Sequence, residues 1–205
     1  YFTGYSLPIS VSLVGDSIYF SGYQPNRGET FKLTYSKYIG VSDSFIDAYS
    51  ASLDYRKYIS LGANTSLAFR FNGFYSGGKV PLIRWAGGGN TIRASTFSSI
   101  IGTRLFFINL EFRFPIIHVA LTPIGLMGPV KGVFFFDMGG AWFKEQDYHF
   151  FEKDGGLKLQ DGLASMGFGL QAAVFGYPLH FDWIWKTNFK DTSYYGFKFW
   201  IGFDF

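Results

Sequence analysis

The last twelve residues, Tyr194-Tyr-Gly-Phe-Lys-Phe-Trp-Ile-Gly-Phe-Asp-Phe205, constrain the fold more than any other stretch. Successive side chains of a strand point to opposite faces. Tyr195, Phe197, Phe199, Ile201, Phe203 and Phe205 therefore share one face, and Gly196, Lys198, Trp200, Gly202 and Asp204 share the other. An unbroken aromatic and aliphatic face opposite a small or charged one is the pattern of a strand standing between lipid and a polar interior.

Seven more segments alternate with the same period, each near the ~9–11 residues of a tilted spanning strand. Over 29–38, Phe31, Leu33 and Tyr35 are set to face outward against Lys32, Thr34 and Ser36. Over 45–58, Tyr49, Ala51, Leu53 and Tyr55 oppose Ser50, Ser52, Asp54 and Arg56. The pattern returns over 65–75 (Leu67, Phe69, Phe71) and over 103–114, where Phe106, Ile108, Leu110 and Phe112 oppose Asn109, Glu111 and Arg113. Over 131–142, Phe134, Phe136 and Met138 oppose Lys131, Phe135 and Asp137. Segments 163–174 and 179–189 complete the set, the latter with Phe181, Trp183 and Trp185 against His180, Asp182 and Lys186.

A helical membrane protein is excluded. The uncharged stretch 114–130 is interrupted by Pro115, Pro123, Gly125, Gly128 and Pro129, the longer one at 162–181 by Gly167, Gly169, Gln171, Gly176 and Pro178, and a spanning helix needs ~20 apolar residues. Only helices and closed barrels satisfy the backbone within lipid. The expected fold is thus an all-β, antiparallel transmembrane β-barrel of about eight recognisable strands, either a small closed barrel or the C-terminal half of a sixteen-stranded one. Short turns are expected at 25–28, 61–64 and 175–178, and long loops at 76–102 and 143–162, the rim asymmetry of outer-membrane barrels. The segment 114–130 is a longer connection on the short-turn rim. Residues 29–205 form the expected barrel domain; 1–28, whose alternation changes phase at Gly15-Asp16, read as a lead-in or an additional bulged strand.

Bulk properties add bounds. The net charge of +3 comes with no basic block, so no nucleic-acid partner is expected. The absence of cysteine rules out disulfides and Cys-ligated metals, and it suits an oxidising envelope compartment. With no initiator Met and no signal peptide at Tyr1, the chain reads as a processed or trimmed piece of an exported protein.

The order of motifs resembles one family. Gly87-Gly-Gly-Asn-Thr-Ile-Arg-Ala-Ser95 is similar to the sixth extracellular loop of BamA- and TamA-type barrels, where a Gly-Gly pair shortly precedes Val/Ile-Arg-Gly-Phe/Tyr. Asn109-Leu-Glu-Phe-Arg-Phe-Pro115 resembles the family's Glu-x-Arg-Phe-Pro strand, and Phe134-Phe-Phe-Asp-Met-Gly-Gly-Ala-Trp142 its Phe-x-Asp-x-Gly-x-x-Trp strand. Gly167-Phe-Gly-Leu, a Gly-Tyr-Pro-Leu-x-x-Asp segment ending at Asp182 and the terminal strand follow in family order. The chain is identified on these landmarks with the outer-membrane assembly and translocation superfamily, also called bacterial surface antigen barrels. The segment 54–58 followed by Ala68-Phe-Arg70 also resembles barrels fused behind propeller-type periplasmic domains.

The resemblance implies that Arg93 folds back into the barrel to meet acidic residues of the inner wall, with Glu111 and Asp137 at the matching positions; alternation by itself already turns both inward. Ala94 and Ser95 replace the motif's glycine and aromatic, which suggests a loosened, relocated or specialised loop. The resemblance also implies a bacterial-type outer-membrane location and a role in protein insertion or export, or as the membrane subunit of an envelope complex. The lipid bilayer, client outer-membrane proteins or exported cargo, and periplasmic envelope proteins are the expected partners. The last strand, with Phe197, Phe199, Ile201, Phe203 and Phe205, would serve as assembly signal and as one side of a seam. The alternative is a structural anchor or porin-like barrel without insertase activity.

No enzymatic activity, cofactor or metal is expected. His118, His149 and His180 are too few for a rich metal site. His180 and Asp182 share the inward face as a base–carboxylate pair would, but no Gly-x-Ser-x-Gly elbow accompanies them, and a lumenal hydrogen-bonding network is the better reading. The Gly167-x-Gly-x-x-Ala172 run lies inside an alternating strand and not between strand and helix, so it is no dinucleotide loop.

Overall fold

The computed structural model describes residues 5–41, 47–118, 120–122, 125–127, 129–152, 156–174 and 177–202. Every regular element among them is a strand: β1 (Ser6–Asp16), β2 (Tyr19–Ser21), β3 (Gln24–Gly40), β4 (Ala48–Gly62), β5 (Thr65–Gly78), β6 (Arg84–Ala86), β7 (Ile100–Gly102), β8 (Arg104–Ile117), β9 (Ala120–Thr122), β10 (Gly125–Met127), β11 (Val130–Trp142), β12 (Leu163–Val174), β13 (Tyr177–Thr187) and β14 (Thr192–Ile201). The spanning strands pair in the order β1-β3-β4-β5-β8-β11-β12-β13-β14, with β2 attached to β3. Each neighbouring pair is antiparallel. Two small hairpins stand apart, β6–β7 in the long loop after β5 and β9–β10 on the connection from β8 to β11.

The expected alternation sorts the two faces. On β8, Leu105, Phe107, Asn109, Glu111 and Arg113 are buried, while Leu110 between them is 45% exposed. On β11, Phe134 is 55% exposed and its neighbours Val133 and Phe135 are buried. The outer face of β3 shows why this surface suits a bilayer. Glu29 pairs with Lys57 at 2.7 Å and Lys37 with Asp47 at 2.5 Å, and Phe31, Leu33 and Tyr35 lie between these pairs. At about 3.3 Å per residue the eight-residue interval from Glu29 to Lys37 spans ~26 Å along the strand, which matches an apolar band with charge at its borders.

Three boundaries differ from the sequence reading. The turn expected at 25–28 lies inside β3; the chain reverses at Ser21–Gln24, where Gly22 has φ +67°. Second, β1 pairs in unbroken register with β3, from Ser6 opposite Gly40 to Asp16 opposite Thr30, and adds a strand to the eight alternating segments. The phase change at Gly15 has a cross-strand cause: the Phe31 ring lies where a Cβ on Gly15 would be, 2.4 Å from it. Third, the register slips between Ile184 and Trp185, so Trp185 faces Tyr194 and Ile184 faces Gly196. Tyr195 is the extra residue of this bulge, and Tyr194, not Tyr195, packs its ring on Trp185 at 5.4 Å. Beyond the bulge Phe197, Phe199 and Ile201 face outward as expected, at 49, 52 and 58% exposure. Phe203 and Phe205 lie outside the described residues.

The sheet is strongly curved. Gln24 at the start of β3 donates its side-chain amide to Gln171 of β12, and the Tyr23 hydroxyl reaches the Gln171 carbonyl at 3.4 Å, although four strands separate β3 from β12 in the sheet order.

Candidate functional site: a loop seated on the inner wall

The chain between β5 and β8, residues 79–103, turns back onto the inner face of the sheet. Its first anchor is apolar. Ala86, Ile92 and Ile100 from the loop join Leu105 and Phe107 of β8 in one buried cluster, against which Phe74, Ala141 and Leu163 pack. Ala94 joins a second cluster with Val133 and Phe135 of β11 and Ile184 of β13. The tight turn ahead of Arg93 depends on Gly87, which has φ +125° and whose Cβ would lie 2.2 Å from the Thr96 carbonyl oxygen. Only glycine tolerates both the left-handed backbone and that approach.

These anchors deliver Arg93 to the wall, where it is 2% exposed. Its Nη1 donates to Asp137 Oδ1 at 2.9 Å, its Nη2 donates to Glu111 Oε1, and its Nε lies 3.4 Å from Asp182 Oδ2. The Arg93 backbone N–H also donates to Asp137 Oδ2, at 3.1 Å. The guanidinium plane stands over the Phe135 ring, 4.1 Å from its centroid. Thus the three residues singled out in the sequence, Arg93, Glu111 and Asp137, are in direct contact.

Sequence reasoning missed the rest of the group. Arg113 donates to Glu111 Oε2 through Nε at 2.8 Å, so Glu111 bridges two guanidiniums. Asp137 also accepts from Asn109 Nδ2 at 2.8 Å and from the Ser165 hydroxyl at 3.2 Å. From the last strand, Lys198 donates to the carbonyl oxygens of Arg93 and Ser95, and Trp200 Nε1 donates to Asp182 Oδ2 at 2.8 Å. Asn109, Asp182 and Lys198 were legible as inward-facing, but their partners come from a loop whose path no periodicity reveals. The cluster holds Arg93, Arg113 and Lys198 against Glu111, Asp137 and Asp182, a balance of charge that offsets much of the desolvation cost of burying such groups.

Ala94 and Ser95 do not loosen or displace the loop. The Ala94 methyl fills the second apolar cluster, and Ser95, 5% exposed, donates its hydroxyl to the Ile92 carbonyl at 2.5 Å. His180 stacks on Trp200 at 3.6 Å between ring centroids, and its Nε2 lies 2.7 Å from the Gly202 carbonyl oxygen. Among the described residues no group of three or more His, Cys, Asp or Glu could hold a metal ion.

A curved antiparallel sheet with an apolar outer face, carrying a long loop on its charged inner face, is the wall of a transmembrane β-barrel. The chain belongs to the Omp85 superfamily, whose domain matches residues 19–205. Its fold is similar to the crystal structure of BamA from Haemophilus ducreyi lacking POTRA domains 1–3, with a TM-score of 0.70 at 18% sequence identity. The likeness covers 94% of this chain and 41% of that one, so the chain spans well under half of the protein it matches. No curated protein matches it closely enough to count as a relative.

Proposed function

We propose that this chain is the C-terminal part of a non-enzymatic bacterial outer-membrane barrel that acts in the insertion or export of proteins, its partners being the bilayer, client polypeptides and periplasmic envelope proteins. The observation that carries this reading is the connection between loop and terminal strand. Arg93 bridges Glu111 and Asp137, and the adjacent loop carbonyls are held by Lys198 of β14. In sheet order β14 is the last strand and pairs with β13. A strand at an openable seam can template an incoming strand through its backbone donors and acceptors. In this reading β14, with Phe197, Phe199 and Ile201 on its lipid face, is one side of a seam, Phe203 and Phe205 extend the same signal, and the Arg93 network holds the loop that steadies the seam.

Depletion of the protein in cells is the test. Loss of other barrel proteins, or of an exported cargo, from the outer membrane and its surface is expected; an unchanged outer-membrane proteome and secretome would favour a structural anchor instead.

A further inference from the structure

The Arg93 network occupies the inner faces of β8, β11 and β13. A second group of charges lies on the inner faces of β3, β4 and β5. There Asp54 accepts two guanidinium forks. Arg56 donates at 2.9 and 3.0 Å, and Arg70 at 3.2 and 2.7 Å, so both carboxylate oxygens are engaged twice. Two further cations face the same place. Lys32 of β3 and Arg84 of β6 line, with Thr34, Ser52, Asp54 and Asn72, a cavity of about 290 Å³. Among the described residues neither Lys32 nor Arg84 forms an ion pair; the Arg84 guanidinium instead stands 5.3 Å from the Phe74 ring centroid. Four cations therefore surround one carboxylate that is already saturated. In the same cavity Asn72, 2% exposed, has a side-chain carbonyl oxygen with no hydrogen-bond partner.

We propose that this cavity binds a phosphate group. Like charges crowded at one mouth of a pocket repel one another, and an anion placed between them reduces that cost. A guanidinium and an ammonium in one lining suit an oxyanion through charge-assisted hydrogen bonds, and the Ser52 and Thr34 hydroxyls add polar contacts. Asn72 narrows the class. Its free acceptor needs a donor, which a hydrogenphosphate or a protonated phosphate ester carries and a sulfate or carboxylate lacks. The volume holds such an anion with waters to spare, a water occupying about 30 Å³ in the liquid. This site shares no residue with the Arg93 network and depends on the seated loop only through Arg84, so Lys32→Gln tests it apart from that network.

The test is ³¹P NMR of inorganic phosphate and of glycerol 3-phosphate, titrated against the purified full-length protein in maltoside micelles at constant ionic strength. Saturable line broadening is expected, resistant to chloride, displaced poorly by sulfate, and weakened about tenfold in Lys32→Gln and in Arg84→Gln. Broadening by both probes assigns the site to phosphate groups on larger solutes as well; broadening by inorganic phosphate alone assigns it to the free ion. Because Lys32 is exposed and pairs with no carboxylate among the described residues, Lys32→Gln retains the fold even if Arg84→Gln disturbs β6. Broadening that is absent, non-saturable or equal in wild type and Lys32→Gln would overturn the proposal.

Discussion

The ammonium of Lys198 lies 2.8 Å from the carbonyl oxygen of Arg93, so the last strand grips the long loop by its backbone and not through a carboxylate. The Ser95 carbonyl accepts a second bond from the same nitrogen, at 2.6 Å. Lys198→Met keeps the length of the side chain and leaves both carbonyls without that donor, at about 1–3 kcal/mol for each buried polar group left unpaired. Since the chain has no cysteine, Ala94→Cys provides a clean probe of a position that is 6% exposed. Maleimide labelling of that probe is expected to accelerate at least roughly tenfold when Lys198→Met is added, the change that 1.4 kcal/mol of loop opening produces. Equal labelling rates would mean that the loop stays seated without Lys198.

Arg93, Glu111 and Asp137 should behave as one unit. Removing Arg93 leaves buried carboxylates uncompensated, and breaking a buried pair in this way costs about 3–5 kcal/mol. Arg93→Ala is therefore expected to lower the temperature of heat-modifiable unfolding on gels far more than a surface change such as Lys190→Ala. Once Arg93 is gone, Glu111→Gln should cost little or even help, because groups in one network are non-additive. Additive effects around the double-mutant cycle would count against a coupled network.

Gly169 on β12 leaves the room that Asp182 occupies: a Cβ there would lie 2.2 Å from Asp182 Oδ1. Asp182 is held on its other side by Trp200 and Arg93 and has little freedom to yield. Gly169→Ala is expected to destabilise by about 1–3 kcal/mol, as overpacking does. The same change should cost clearly less in an Asp182→Gly background, where Val133 Cγ1 at 3.0 Å and the Phe181 carbonyl oxygen at 3.1 Å still crowd the new methyl, measured by the same unfolding shift. A full cost in both backgrounds would trace the clash to the backbone instead.

The lipid face of β14 is open to a direct measurement. Spin labels at Phe197, Phe199 and Ile201 should relax with a lipid-soluble quencher, and labels at Lys198 and Trp200 should not. Uniform quenching along the strand would contradict the assignment of faces.

Most of the wall was legible because lipid and lumen demand opposite chemistry at period two, and Phe106 to Arg113 or Phe134 to Asp137 write that demand without interruption. Legibility failed where something other than the two solvents chose the residue. Pro25-Asn-Arg-Gly28 has turn composition yet lies in β3, since the reversal is set by Gly22 just before it. Gly15 answers to the Phe31 ring across the ladder, and the bulge at Tyr195, beside Gly196 with φ +152°, moves a side chain that alternation alone places on the outer face. In the site, the carboxylates Glu111 and Asp137 could be placed by phase. Asp182 as a third partner and the grip of Lys198 depend on how a loop crosses several strands, which is tertiary information, whereas Arg113 shares the inward face of β8 with Glu111 two residues away.

The bond from Lys198 to the Arg93 carbonyl spans 105 positions of the chain, and Asp182, the third carboxylate at Arg93, is also contributed late. Long-range closures of this kind form after local pairings in folding, because the entropy of bringing distant segments together is lost before the contacts repay it. The loop consequently has no complete seat until the final hairpin has joined the wall. Until then Arg93 faces two carboxylates and an unfinished floor; afterwards it is fastened from behind. The same bonds that hold the loop thus make its docking a timestamp, recording that the C-terminal end of the sheet has arrived.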